Sequence, residues 1–491
     1  MSIDTKEEHG VTRDEVKRKL LQKVASDGER SKQFIGARFR DLDLGHAVLK
    51  SDDNHPVDLS HARFTGTLDL SHTDVFQPLV LEGARIDGRF WANKATFESY
   101  VNARDVAFKG FAEFGDAFFD APVFFNGAVF DGAGTFKEYG QFVASFNGAA
   151  FDEKAVFDRA TFEGRLDCRE SVMEKVAFDY ATLDTVFLSS AEIETIFISA
   201  ARARDDEAYV SFVNSTVNGG ILNQPYYVED GDVQYPDESL FYNFTKAEIG
   251  DIGLKPDADG ELFRYLRIYE TDFSSFDFSN YESYLAPDWK LHEYDGPVLQ
   301  EGNIHGDLKR QELGDAAGRE ITYLKARKGA ERAGYARAAS FFFINQMRQR
   351  RAMHWNRVQD RDKPAWERFR SVFNYIGNGL MGFISGHGER PWRVVGSSMA
   401  VILLCALLYP FVGGITTGNG AQVISYASVA GPVDLASLLG QSLYFSTTTF
   451  TTLGVGDLFP AGDMARLLTG FESLAGALLV ALLVFVLGKR A

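Results

Sequence analysis

Residues 437–457 read SLLGQSLYFSTTTFTTLGVGD. The reading of their last six, Thr452-Leu453-Gly454-Val455-Gly456-Asp457, decides the architecture of the C-terminal part of the chain. The stretch has no charged residue before Asp457 and is too short to cross a bilayer. It lies between two long apolar runs. The first is VVGSSMAVILLCALLY (394–409), carried past twenty residues by PFVGGI (410–415), and the second is LLTGFESLAGALLVALLVFVL (467–487). At about 1.5 Å per residue, 21 helical residues reach about 31 Å, close to a hydrocarbon core of roughly 30 Å. Neither run has the polar face of a globular core helix. Irregular backbone at membrane depth is tolerated only where protein buries it or where it lines a cavity. The expectation is therefore two spans, at about 394–415 and 467–487. Between them a re-entrant pore helix, 437–451, leads into a turn whose carbonyls face a cavity.

Gly454 and Gly456 supply the dihedral freedom to align successive carbonyls toward one axis. Carbonyls of Thr452, Leu453, Gly454 and Val455, with the Thr452 hydroxyl below them, are suited to replace the hydration shell of a monovalent cation. The C-terminal end of the preceding helix adds a partial negative charge. A single loop cannot surround an ion, so a ring of subunits is required. In order and spacing, span, short helix, Thr-x-Gly-x-Gly-Asp and span resemble the two-transmembrane-helix pore domain of the potassium channel superfamily, over about 385–491. The resemblance implies a homotetramer with K⁺ as the permeating ion, the filter Thr452–Asp457 facing outward, and Thr451, Glu472 and Gly476 in pore support or gating. Gly476 falls where such channels often hinge the inner helix, and a small packing residue is the alternative. Val455 departs from the commonest form of the motif, which has Tyr there; the carbonyl count is unchanged. Glu472 is either a partner for the filter's outer backbone or a cavity charge, or else an interfacial acid solvated near the headgroups. Asp457 would set four like charges around an outer mouth and raise the local cation concentration.

Charge supplies the orientation. Arg390 and Arg393 precede the first run, Lys489 and Arg490 follow the second, and no Lys or Arg occurs from 394 to 465. The positive-inside rule puts both ends, and with them the large N-terminal body, in the cytoplasm of a multi-pass cell-membrane protein. A formal net charge of -17 argues against a nucleic-acid partner. Two cysteines, Cys168 and Cys405, are too few for a disulfide framework. The first thirty residues are charged with no apolar core, so a helix over 1–30, capped by Thr12, is expected rather than a secretory signal. No clustered nucleophile or metal set points to an enzyme or a cofactor, and no span with spaced arginines points to a voltage sensor.

Just before the pore, residues 364–384 place Trp366, Phe369, Phe373, Ile376, Leu380 and Phe383 at steps of three and four, one apolar helical face. An amphipathic helix leading into a span fits the membrane interface, which makes lipids a partner. The glycine-rich stretch 385–391 reads as a coupling corner, with His387 structural. Upstream, 256–363 is expected to be mainly helical and cytoplasmic, with a turn at Ala333-Gly334-Tyr335. Arg348, Arg350 and Arg351 form a basic cluster suited to anionic headgroups.

The second organising signal is Ala-x-aromatic/aliphatic, as in Ala37-Arg38-Phe39, Ala62-Arg63-Phe64, Ala95-Thr96-Phe97, Ala128-Val129-Phe130 and Ala160-Thr161-Phe162. Its steps of five or six fit neither helix nor ordinary strand, but do fit stacked coils that return a small and a large residue to the interior. The pattern resembles pentapeptide-repeat proteins, which implies a right-handed, four-sided β-helix. It is expected over 31–255, with gaps near 66–80 and irregularity after about 200. At one strand spacing per coil, roughly eight coils would make a stack of ~40 Å. The fold class is thus a multidomain membrane protein: a cytoplasmic β-helix, a helical linker and a two-span all-α tetrameric pore domain, 390–491. The functional expectation is a potassium-type cation channel whose repeat domain serves assembly or gating, with an unidentified cytoplasmic protein or ligand as a further partner. The alternative is a membrane-tethered repeat scaffold without conduction.

Overall fold

The computed structural model describes residues 13–132, 142–229, 232–257, 259–298, 309–310, 315–417, 423–429, 431–454 and 456–488. The chain divides into two compact units, Met1–Gln346 and Met347–Ala491.

The first unit is a parallel β-solenoid. Strands stack in register along each side, as in Arg63↔Arg85, Ala107↔Arg85 and Ala107↔Val129, so one coil takes 22 residues. The early coils have four sides, each built from two-residue strands. Corners recur every eleven residues at His61, His72, Gly83, Lys94, Asp105, Asp116 and Gly127, all with φ between 54° and 69°. The alternating steps of five and six in the sequence add up to this half-coil. A left-handed corner costs a non-glycine residue about 1 kcal/mol. Hydrogen bonds to the next coil offset it, such as His61 N–H to the Glu82 carbonyl and Asp116 N–H to the Asn147 carbonyl, both 2.8 Å. The residue after each corner turns inward and is alanine at most of them, with Thr73 and Val106 at the others.

Inside, the large positions form aromatic ladders. Phe97, Phe119 and Phe151 stack at 4.8 and 4.7 Å; Phe125, Phe157 and Phe178 stack at 5.1 and 5.0 Å; Phe114 lies 4.4 Å from Phe146. Such offset pairs add to the burial of the rings themselves.

Three sequence expectations are corrected or refined here. The stack is regular across 66–80, because Thr73 takes the small position and its hydroxyl donates to the Leu44 carbonyl at 2.8 Å. Ser171, Ser215 and Thr271 do the same in later coils. After about 200 the solenoid keeps its strand pairing, and the irregularity is one excursion, the antiparallel pair Tyr227–Glu229 and Asp232–Gln234, in a coil lengthened to 32 residues. From Ala150–Val156 onward two sides fuse into single strands, Val172–Ala177, Glu192–Ile198, Thr216–Asn223 and Glu248–Lys255, and the coil becomes three-sided. The β-branched residues there, among them Ile193, Thr195, Ile196 and Ile198, favour a continuous pleated strand over a corner. Last, the stack ends at Phe273 rather than 255.

Both open ends are covered, which removes the hazard of an unpaired edge. Of the helix expected over 1–30, the described part is α1, Arg13–Val24; Thr12 lies outside the described residues. Its Val16, Leu20 and Val24 are buried in the core that includes Leu42 and Leu44. At the far end, 259–298 is not helical apart from short turns and α2 (Glu282–Leu285). Its aromatics Phe273, Phe276, Phe278 and Trp289 pack with Tyr323 of α3 (Ala316–Arg332) and Phe342 of α4 (Ala336–Gln359). Lys325 donates to the Glu270 carbonyl at 2.7 Å, tying α3 to the last coil.

The second unit contains the rest of α4, then α5 (Ala365–Ser385), α6 (Pro391–Leu408), α7 (Pro432–Phe450) and α8 (Asp463–Gly488). The α5 aromatics form an exposed face, with Trp366, Phe369 and Phe373 each more than 60% accessible. The corner after α5 is closely packed. Arg393 donates to the Gly382 carbonyl at 2.9 Å, and a Cβ at Gly382 would stand 2.8 Å from His387 Nε2. Burial, with Arg348, Arg351 and Arg393 nearby, holds the His387 imidazole below its usual pKa range.

Replacing Phe114 by Ala removes one rung of the ring ladder and leaves a cavity. It is expected to cost about 3–5 kcal/mol of solenoid stability, read as faster amide hydrogen exchange in the coils on either side while α6 and α8 keep their protection.

Candidate functional site

Two helices have the length and hydropathy to cross a membrane, α6 and α8. Their limits differ from those read in the sequence. The first helix stops at Leu408, because Pro410 and the positive-φ pair Gly413 and Gly414 end it, and Ile415 already belongs to a strand. The second begins four residues early, at Asp463. The pore helix α7 likewise starts at Pro432 rather than 437, with the proline at its first turn where a missing N–H costs nothing.

The C-terminus of α7 sets the start of the glycine turn. Thr452 N–H donates to the Thr449 carbonyl at 3.1 Å, and Leu453 N–H to the Thr448 carbonyl at 3.0 Å. With Thr452 at φ 57°, this is a Schellman closure, in which a left-handed residue satisfies the last open carbonyls. Gly454 and Gly456 come next at φ 56° and 77°, so Thr452, Gly454 and Gly456 are all left-handed. A Cβ at either glycine would meet nothing within 4 Å. Their requirement is conformational rather than steric. Thr451 and Thr452 hydroxyls donate to the carbonyls of Thr447 and Thr451, each at 2.7 Å. Thr451 to Gly454, Gly456 and Asp457 are all exposed on the single chain; Val455 lies outside the described residues, as do Lys489 and Arg490.

The turn is held on its outer side as well. Directly after Asp457, Leu458–Pro460 pairs antiparallel with Ile415–Thr417, in register Thr417↔Leu458 and Ile415↔Pro460, and Val423–Ile424 completes a three-stranded sheet. The Tyr444 hydroxyl of α7 approaches the Asp457 carboxylate.

Glu472 is fully buried among three helices. It accepts from the Tyr409 hydroxyl, at the end of α6, at 2.6 Å, and it pairs with the Ser446 hydroxyl of α7. Ser446 Oγ also reaches the Ile402 carbonyl of α6 at 2.8 Å. The carboxylate thus bonds to the scaffold behind the turn and not to the outer backbone of the turn itself. Neither does it lie at an exposed interface. Four residues on, α8 runs unbroken through Gly476, and a Cβ there would stand 2.1 Å from the Phe450 carbonyl oxygen. The end of α7 rests directly on the α8 backbone at this point.

Sequence reading singled out Thr451–Asp457, Glu472 and Gly476, and their geometry is as described. It missed the roles of Tyr409, Ser446 and Tyr444. An uncharged hydroxyl on an apolar helix carries no signal until its partner is known.

Residues 415–491 match the model of a family described as "Ion channel". No curated protein matches the chain. Among solved structures, the chain is similar to HetL, a pentapeptide repeat protein involved in heterocyst differentiation regulation from the cyanobacterium Nostoc. The two share 14% identity over 49% of this chain and 91% of HetL, with a TM-score of 0.22. The C-terminal region is thus an ion-channel domain, joined to an N-terminal parallel solenoid.

Glu472→Leu orphans two buried hydroxyls at about 1–3 kcal/mol each and is expected to lower the melting temperature of the detergent-solubilised protein. Glu472→Gln should stay near wild type, since its amide can donate to Ser446 Oγ while its carbonyl accepts from Tyr409. Equal melting of the Leu and Gln variants would contradict the network.

Proposed function

We propose that four copies of the chain form a potassium-type cation pore. In this reading the carbonyls of Thr452, Leu453, Gly454 and Val455 serve as ion ligands, and the Asp457 carboxylates ring the outer mouth. The observation that carries the reading is the backbone from Thr448 to Asp457. A helix end closed on a left-handed threonine leads into left-handed Gly454 and Gly456, between two membrane-length helices and inside the segment matched by the ion-channel family. A tether would need neither glycine and would have no use for the Gly476 contact.

In this arrangement the ion exchanges water for backbone oxygens whose cost of orientation is already met in folding. Four symmetry-related turns complete the shell that one cannot. The arginines before α6 favour a cytoplasmic N-terminal side of the spans. The solenoid then acts there as an assembly or regulatory body, and neither it nor the pore domain performs enzymatic chemistry. The competing reading is a conduction-free scaffold.

The test is flux through the purified chain in planar bilayers with opposed K⁺ and Na⁺ gradients. A K⁺-selective pore shifts its reversal potential by roughly 59 mV per tenfold K⁺ gradient. Gly454→Ala, forcing an L side chain to φ 56°, is expected to abolish the current. A monomeric wild type that passes no cation would overturn the channel reading, and a reversal potential blind to K⁺ would remove only the selectivity.

Gly476→Ala is expected to abolish current as well, by displacing the end of α7. Unchanged conduction in that variant would show that the contact does not position the filter.

A further inference from the structure

Between 347 and 393 the chain carries ten Lys or Arg and only four Asp or Glu, although its overall charge is -17. The local excess is not spread evenly. The end of α4 and the start of α5 enclose a cleft of about 500 Å³, lined by Arg357, Lys363 and Arg370 together with Trp366. Ser371 and Asn374 add neutral polar groups, and Glu367 is the one acidic residue in the lining. The joint is fixed by Arg368, whose Nε donates to the Val358 carbonyl at 3.0 Å. Among the described residues, Arg357, Lys363 and Arg370 have no carboxylate partner.

A cleft of this size suits a small anionic group. Three cations beside the single carboxylate of Glu367 leave the cleft with an excess of positive charge, which solvent or a bound anion compensates. The neighbouring surface narrows the choice of anion. Trp366 lies in the lining and also begins the exposed apolar face that runs through Phe369, Phe373, Ile376, Leu380 and Phe383. A soluble phosphate would leave that face in water. A phospholipid uses both, with its phosphate among the cations and its acyl chains along the aromatics. The helix then lies with its apolar face in the headgroup boundary.

We propose that the α4–α5 cleft binds the headgroup of an anionic phospholipid from the cytoplasmic leaflet. The inference rests on the membrane reading of α6 and α8 and is independent of conduction. Guanidinium groups at 357 and 370 present forked donors to phosphate oxygens, and Lys363 supplies a compact third charge.

The test uses the full chain in neutral detergent, titrated with dioctanoyl phosphatidylglycerol or dioctanoyl phosphatidylcholine and read by native mass spectrometry. Phosphatidylglycerol is expected to bind at least about tenfold more tightly. At about fivefold per cation, Arg357→Gln/Lys363→Gln/Arg370→Gln should lose on the order of a hundredfold. The charge-preserving Arg357→Lys/Arg370→Lys keeps most of the affinity, which separates lost charge from lost fold. Equal binding of the two lipids, undiminished binding by the triple Gln variant, or loss in the Lys variant would overturn the proposal. Displacement by glycerol 1-phosphate at equal concentration would overturn the lipid as occupant and leave a free phosphate site. Because no flux is measured, a chain that binds the lipid without conducting refutes only the channel, and the reverse refutes only the cleft.

Discussion

The buried carboxylate of Glu472 joins three helices, and the placement of the glycine turn depends on that joint. Tyr409 closes it from α6 and Ser446 from α7, while α8 supplies the carboxylate. In an apolar medium an unmet hydroxyl or carboxylate is expensive, so the three helices gain most when all partners are present together. The joint fixes α7 along its length, and the Phe450 carbonyl resting on Gly476 fixes its end. The turn beyond Phe450 inherits that position. The two glycine demands in this region are therefore different in kind. Gly476 is needed because there is no room for a side chain; Gly454 and Gly456 are needed because of their dihedral angles.

The solenoid meets a related problem by other means. Its corners force residues such as Lys94 and Asp116 into left-handed backbone, at a cost that the coil-to-coil hydrogen bonds and ring stacking outweigh. Because each coil touches chiefly its neighbours, stability is close to a sum along the stack. Such a stack is weakest where it stops. Apolar helical residues cover each end, Val16, Leu20 and Val24 at one and Tyr323 and Phe342 at the other. The ends are closed by burial rather than by charge alone.

How far the fold is legible in the sequence depends on the range of the interactions involved. The repeat was legible because alanine and phenylalanine recur within one half-coil, and the pore segment because its glycines sit between two apolar runs. A search keyed to alanine passed over Thr73, Ser171, Ser215 and Thr271, since a hydroxyl that bonds to local carbonyl is as small for this purpose as a methyl. The change from four sides to three was hidden because the β-branched residues that favour the continuous strand leave no spacing signal of their own in the repeat. Glu472 was conspicuous, yet its partners lie 63 and 26 positions away at Tyr409 and Ser446, and no local pattern connects them. The same holds for the strand Leu458–Pro460, whose partner is Ile415–Thr417.

That strand bears on how much freedom the turn retains. Its inner end is fixed by the Schellman closure at Thr452 and its outer end by the register Thr417↔Leu458. Only five residues, Leu453 to Asp457, lie between the two anchors. So short a bridge has few ways to close, and alternating left-handed glycines meet its geometry without crowding any neighbour. The geometry of this segment is thus carried by its anchors and by the left-handed backbone of its two glycines.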